Sequence, residues 1–389
     1  MLLEGLKVVE MATWVAGPSC AGLMADWGAD VIKVESPMGD VTRAFAPDTP
    51  ESPGNPIFSN DNRGKRSVVL DTSRPEGRAA LRALLRQADI FVTNVRPGAM
   101  KRLGLDYDSL RAECPRLIYA AVTGYGLTGP YADVPAFDMT AFWTLSGVAH
   151  ATIPPDQEPF ASRPGFGDHV TALAALSGVL AALHERHSTG KGRLVEASLL
   201  RAGVFAISWD LSMQLRYGQV ETAQPRADRP SLTGFYQTGD GAWILILPRT
   251  LDCFTNLMIA IDRPEVVAEP RYEQPWTDIE VVRELRAICD EGFARFTAEE
   301  IGARLDAFDL AWAKMGTLGE LAVSPMAEEA GCFVEIGDGR GGTFRSPAPP
   351  VRFPEGAPPI ARPAPGLGQH SREILLAAGL RPDEIDALG

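Results

Sequence analysis

Histidine and cysteine are scarce, with five of each in 389 residues. Cys20, Cys114, Cys253, Cys289 and Cys332 lie scattered with no Cys-x-x-Cys spacing. Neighbouring thiols therefore cannot build a zinc knuckle or a disulfide frame, and all five read as reduced. His184-Glu185-Arg186-His187 falls one residue short of the His-Glu-x-x-His helix face that binds zinc. No metal site is expected. No Gly-x-Ser-x-Gly elbow and no Walker loop occurs. Ala12-Thr13-Trp14-Val15-Ala16-Gly17-Pro18 carries one glycine where a dinucleotide fingerprint would carry three. Positive charge is short too. Lys and Arg number 37 against 50 Asp and Glu, a net charge of −13, which excludes a nucleic-acid-binding reading. The N-terminus has no charged-then-apolar leader pattern, so a cytoplasmic location is expected.

What remains is a globular composition, 45% hydrophobic and 22% charged, in a chain too long for one ordinary core. Short apolar runs at 6–11, 30–35, 68–71, 89–94 and 116–122 alternate with helical stretches. That grammar predicts a parallel sheet covered by helices, an α/β fold. Ligands of such sheets bind beyond the C-terminal strand ends. Asn94-Val95-Arg96-Pro97-Gly98 and Gly124-Tyr125-Gly126 stand there. Asn62-Arg63-Gly64-Lys65-Arg66-Ser67 puts three cations on one turn, either a solvated basic face or a phosphate contact. From Leu232 the grammar changes. Two aromatic or β-branched runs flank Gly239-Asp240-Gly241, a hairpin signal. Helical stretches at 250–260, 278–295 and 297–308 complete a smaller α+β domain. A further hairpin spans 332–346. The Pro-rich segment 347–365 reads as an extended tail crossing a partner domain or subunit.

One stretch stands out. Residues 170–183 are apolar but for Thr171 and Ser177, and their length and Ala/Leu content favour a buried helix. The run is too short for a bilayer, which needs ~20 residues. Gly190 ends it. Gly165-Phe166-Gly167-Asp168 opens it, and position alone reads Asp168 as the helix N-cap.

Taken in order, several segments resemble the class III CoA-transferases, the group that includes formyl-CoA transferase, carnitine CoA-transferase and α-methylacyl-CoA racemase. They are Val15-Ala16-Gly17-Pro18, Trp27-Gly28-Ala29-Asp30-Val31-Ile32-Lys33-Val34-Glu35, Gly39-Asp40-Val41-Thr42-Arg43, Asn62 to Ser67, Asn94 to Gly98, Thr123-Gly124-Tyr125-Gly126, Gly167-Asp168 and Thr189-Gly190-Lys191-Gly192. Pro363-Ala364-Pro365-Gly366-Leu367-Gly368-Gln369-His370 in the tail also fits. The resemblance implies a Rossmann-like large domain from 1–223 and 330–389, an inserted α+β domain at 224–329, and an interlocked homodimer. It implies an enzyme that moves CoA from an acyl-CoA to a carboxylic acid through a covalent aspartyl intermediate, with no permanently bound cofactor and no membrane. Asp168 matches the family's catalytic aspartate, and the helix N–H groups and dipole are expected to keep it ionised. By the same resemblance CoA lies along Val15, Ala16, Asn94, Arg102, Leu103, Thr123 and Tyr125, with Lys65 and Arg66 as further phosphate candidates. Two alternatives accompany this reading. A racemase of this group carries His where Phe137 stands before Asp138, and Phe137 cannot move a proton. A non-catalytic acyl-CoA-binding protein would keep the binding loops alone. Residues 221–232, without glycine, differ from the glycine-run loop of formyl-CoA transferase.

Overall fold

Neighbouring residues of single strands serve two different cores. Val8, Ile90, Ile118 and Ala120 face one apolar cluster, while Val9, Phe91 and Tyr119 face another. The two-residue period of a strand sends alternate side chains to opposite faces, and a sheet covered on both faces needs apolar residues at every position. Ile90, Phe91, Val92 and Thr93 are accordingly all buried. A computed structural model describes residues 1–46, 55–218, 223–355 and 362–388. Parts of the segment 221–232 and of the 347–365 tail lie outside them.

Six parallel strands form the sheet: β1 Lys7–Met11, β2 Asp30–Glu35, β3 Arg66–Val69, β4 Ile90–Thr93, β5 Ile118–Thr123 and β6 Leu194–Ser198. Their spatial order is β3-β2-β1-β4-β5-β6. From β1 the chain winds outward to β2 on one side and later to β4 on the other. The crevice beyond the ends of β1 and β4 is thus the topological switch point, where such sheets bind ligands. The helices, in chain order, are α1 Ala16–Asp26, α2 Pro56–Asn62, α3 Pro75–Leu85, α4 Pro97–Leu103, α5 Tyr107–Leu110, α6 Val148–Thr152, α7 Phe166–Thr189, α8 Leu199–Ala206 and α9 Ser208–Tyr217. A π-helical turn, Asp138–Leu145, precedes α6.

The long helix α7 differs from expectation in three ways. It runs 24 residues, so shortness is no argument against a bilayer. It is buried on one face only, through Thr171, Ala172, Ala175, Leu176, Val179 and Ala182, against α1 and the sheet. Leu173 and Leu180 point outward and are exposed. The packed stripe makes it a core helix despite its bilayer-compatible length and apolarity. Asp168 is not its cap either. Gly165, at φ +85°, is the cap residue, and Asp168 is the third residue of the first turn. The apolar stretch that follows β6 forms two helices, α8 and α9, broken at Ile207.

Two compact units result. One comprises Met1–Thr152, Pro159–Val220 and Met326–Gly389, and the other Ile153–Glu158 and Glu221–Pro325. In the first, the tail returns to its own sheet. Gly368 N–H donates to Ser67 Oγ (2.9 Å), and Val69 N–H donates to Ser371 Oγ (3.1 Å). Ile374 and Leu375 are buried in the second core cluster. The edge strand β3 is thereby covered. The second unit is built on an antiparallel sheet, β7 Gly234–Gln237, β8 Trp243–Ile246 and β9 Trp312–Lys314. The Gly239-Asp240-Gly241 turn joins β7 to β8, and Thr250, Asp278 and Thr297 cap its three main helices.

Candidate active site

The loop after β1 is held from two sides. Asn94, just beyond β4, grips Thr13 with both ends of its amide: Thr13 N–H donates to Oδ1 (3.1 Å), and Nδ2 donates to Thr13 O (2.6 Å). Beneath the loop lies a sealed ionic floor. Lys33 Nζ meets Glu10 Oε1 (2.8 Å), Asp40 Oδ2 (2.9 Å) and Ala12 O (3.1 Å). Lys65 Nζ meets Glu10 Oε2 (2.5 Å), Pro18 O (2.8 Å) and Asn62 Oδ1 (2.9 Å). The Glu10, Lys33 and Lys65 side chains are fully buried. Such groups survive out of water only when every charge is matched. Burial pulls the Lys33 ammonium down, but Glu10 and Asp40 outweigh it and carry it above its ordinary value. For Lys65 burial prevails over Glu10 and the value falls.

This overturns the phosphate reading of the basic turn. Lys65 faces Glu10 inside the protein. Arg63 pairs with Asp26 (2.7 Å) and is buried. Arg66 pairs with Asp30 (2.6 Å) and Glu373 (2.9 Å). The three cations tie this turn to Asp26 on α1, Glu10 on β1 and Asp30 on β2 rather than forming a solvated face.

The open end of α7 rises beside this floor. The buried Asp138, at the start of the π-helical turn, accepts from Gly165 N–H (2.8 Å) through Oδ2 and from Met139 N–H (2.7 Å) through Oδ1. It holds the N-cap residue Gly165 in place, while no side chain among the described residues accepts from the first turn of α7. Two glycines serve different ends here. Gly165 supplies the left-handed turn. Gly167 supplies space, since a Cβ there would lie 2.4 Å from Phe142 Cγ. Asp168 is left with a carboxylate that accepts no hydrogen bond from the described residues. Burial first, and the negative charge of Asp138 second, push its pKa up to about 7. The expectation that the helix end alone would keep it ionised is corrected: without a hydrogen bond from a first-turn N–H, desolvation dominates.

His169, the next residue, counters this. Its Nε2 lies 3.2 Å from Asp61 Oδ1. The bond to Asp61 raises the imidazole pKa, and the positive charge pulls Asp168 downward.

Above the floor is a cavity of about 950 Å³. Val15, Ala16, Asn94, Thr123 and Asp168 border it, as do Asp61, Asp138 and His169. Arg102, Leu103 and Tyr125 do not border it. Arg102 is exposed on α4, and Leu103 packs on the second core cluster. His169, Asp61 and Asp138 escaped the sequence reading as site groups. Adjacency to Asp168 was the available signal for His169. Asp61 gives none, being 108 residues from His169 in the chain. Among the described residues, no cluster of three or more His, Cys, Asp or Glu could hold a metal.

Residues 3–371 match the model of CoA-transferase family III. The chain belongs to this family. It is 33% identical over 391 aligned positions to (R)-2-hydroxy-4-methylpentanoate CoA-transferase of Clostridioides difficile, covering 99% of this chain and 98% of that one. It is 32% identical to the succinyl-CoA–L-malate CoA-transferase beta subunit of Chloroflexus aurantiacus, covering 96% and 93%. A CAIB/BAIF family protein from Brucella suis superposes with a TM-score of 0.85 at 29% identity, covering 97% and 99%. The protein is therefore a class III CoA-transferase, an enzyme that works on CoA thioesters.

Proposed function

We propose that this CoA-transferase moves CoA from an acyl-CoA to a carboxylic acid through covalent intermediates on Asp168. The observation that supports this is the unbonded Asp168 carboxylate, standing in the same cavity as Val15, Ala16, Asn94 and Thr123 at the ends of three central strands. An Asp168 oxygen attacks the thioester carbon, the carbon–sulfur bond breaks, and CoA leaves as thiolate. The thiolate attacks the aspartyl carbon of the resulting anhydride. The donor acid departs with the former Asp168 oxygen, leaving an aspartyl-CoA thioester. The acceptor carboxylate attacks that thioester and expels the thiolate. Attack of the thiolate on the acceptor's acyl carbon then gives the new acyl-CoA. Asp168 regains its carboxylate with one oxygen from the acceptor. No proton is gained or lost in the cycle.

Each attack creates a tetrahedral oxyanion. The N–H groups of Gly167 and Asp168, in the first turn of α7, have no acceptor among the described residues and suit that charge. CoA runs past Val15, Ala16, Asn94 and Thr123, while Arg102, Leu103 and Tyr125 serve its more distant parts outside the cavity. Phe137 holds no proton, so nothing there supplies the second base of a racemase.

The pH dependence tests this reading. Attack requires ionised Asp168, whose pKa is about 7, so kcat/KM for acyl-CoA is expected to rise with pH through about 7. His169→Asn removes the positive charge that lowers Asp168 and should move the rising limb to higher pH. A limb that stays in place would count against Asp168 as the titrating nucleophile.

We propose further that the enzyme works as a homodimer, interlocked in the manner of the family it resembles. Supporting this, Phe205, Trp209, Leu215 and Tyr217 on α8 and α9 expose 80%, 89%, 80% and 66% of their surface, more apolar area than a lone subunit keeps in water. Light scattering should return twice the chain mass; a monomer at micromolar concentration would contradict it.

A further inference from the structure

The mouth of the cavity is aromatic, and the transfer steps above make no use of that. Trp14 meets Phe45 and Phe137 edge to face, with ring centroids 5.4 Å and 5.2 Å apart. Such pairs ordinarily belong to interiors. Here Phe45 and Phe137 are half exposed, at 50% and 51%, and Ile57 and Val134, which line the same cavity, are open as well. A contiguous apolar surface left open inside a cavity marks a place for an apolar ligand.

The wall is built, not incidental. Trp14 adopts φ +67°, a left-handed conformation rare for a bulky L residue. It is kept there by the Asn94 grip on Thr13 and by Asp40, whose Oδ1 accepts from Trp14 N–H (3.4 Å). Phe137 is fixed from the other side. Its N–H donates to Thr140 Oγ1 (3.0 Å), and the next residue, Asp138, holds the turn that opens α7. The aromatic wall and the nucleophile therefore share one frame.

We propose that Trp14, Phe45 and Phe137 form the acyl subsite, and that it takes a carboxylic acid with a branched-aliphatic or aryl side chain and no second charge. This rests on the transferase reading of the same cavity. Uncharged rings cannot replace the water around a second carboxylate. Three cations are committed elsewhere: Arg43 lies over Phe58 and pairs with Glu35, and Lys33 and Lys65 are sealed in the floor. Arg96 and Arg163, which also line the cavity, stand on the β4 loop and on the approach to α7.

The test is identity exchange, in which an acyl-CoA is mixed with its own carbon-labelled acid and labelled acyl-CoA is read by mass spectrometry. Acetyl, succinyl, 4-methylpentanoyl and 3-phenylpropanoyl pairs are compared with the full-length enzyme. The two bulky apolar pairs should exceed acetyl and succinyl in kcat/KM by about 10²-fold. Phe137→Ala and, separately, Phe45→Ala should cut that preference about tenfold, mainly through KM. Equal or faster succinyl exchange, as would follow if Arg163 held a second carboxylate, overturns the proposal. So does a preference that neither variant moves. Exchange with no pair at all would bring down the transferase reading itself, whereas exchange confined to the small or dicarboxylic acids overturns the acyl-subsite assignment alone.

Discussion

Asp168→Asn is expected to lower the rate of CoA transfer by at least about 10³-fold, because Asn has no nucleophilic oxygen anion. The same change should leave the protein folded and make it more stable at alkaline pH. Burial and the Asp138 charge raise the folded pKa of Asp168 from 3.8 to about 7. Below the lower value both folded and unfolded chains hold the proton, and nothing is lost. As pH rises between the two values, only the unfolded chain releases the proton freely, so folding stability falls; above about 7 the full cost is present. Removing the charge should therefore add roughly 1–3 kcal/mol at about pH 8 and almost nothing at about pH 4. Urea unfolding at the two pH values, beside a transfer assay, checks both halves. A variant that transfers CoA at near-wild-type rate removes the assigned role. One that is inactive yet less stable at pH 8 would mean that Asp168 is a structural group.

The second large effect lies in the ionic floor. Glu10 is shared by Lys33 and Lys65, and all three side chains are fully buried. Glu10→Gln keeps the shape but removes the charge. Lys33 retains Asp40, whereas Lys65 loses its only ion-pair partner among the described residues. Breaking a buried pair in this way costs about 3–5 kcal/mol, because the remaining charge is left uncompensated. Glu10→Leu combined with Lys65→Met should recover much of that loss, since removing both charges leaves none stranded. The loop between Ala12 and Pro18, whose carbonyls these lysines hold, should loosen in the single variant and weaken acyl-CoA binding with it. A change below about 1 kcal/mol in urea unfolding would contradict the account of the floor.

Strand-and-helix alternation in the N-terminal third was legible because a doubly covered parallel sheet writes its strands as unbroken apolar runs. Ile90-Phe91-Val92-Thr93 could hardly be anything else. The hairpin around Gly239-Asp240-Gly241 and the helices beginning near Thr250, Asp278 and Thr297 were legible for a related reason, since turn and helix-start chemistry is local. What failed was long-range. The cations of 63–66 look solvated in sequence, and nothing nearby says that Asp26, Glu10 and Asp30 will meet them. Asp168 looks like a cap because short-range rules see only its own helix; the chain enters that helix one turn earlier, at Gly165, which Asp138, distant in sequence, holds. The apolar helix α7 looks buried all round because composition does not separate a core face from one turned outward. The aromatic wall was invisible, since Phe137 stood out only as a missing base and Trp14 and Phe45 not at all, and the three acquire meaning as a wall only where the fold brings them together.

The central claim is that oxygen passes through Asp168. The most direct measurement runs the enzyme on acyl-CoA with an acceptor acid labelled with heavy oxygen in its carboxylate, then isolates the peptide that carries Asp168. The cycle proposed above exchanges one Asp168 oxygen for an acceptor oxygen at each turnover, so the peptide should become heavier within the first few turnovers and level off with both Asp168 oxygens labelled. Formation of labelled acyl-CoA while the Asp168 peptide stays light would mean that the acids exchange CoA without bonding to the protein, and the covalent mechanism would be wrong.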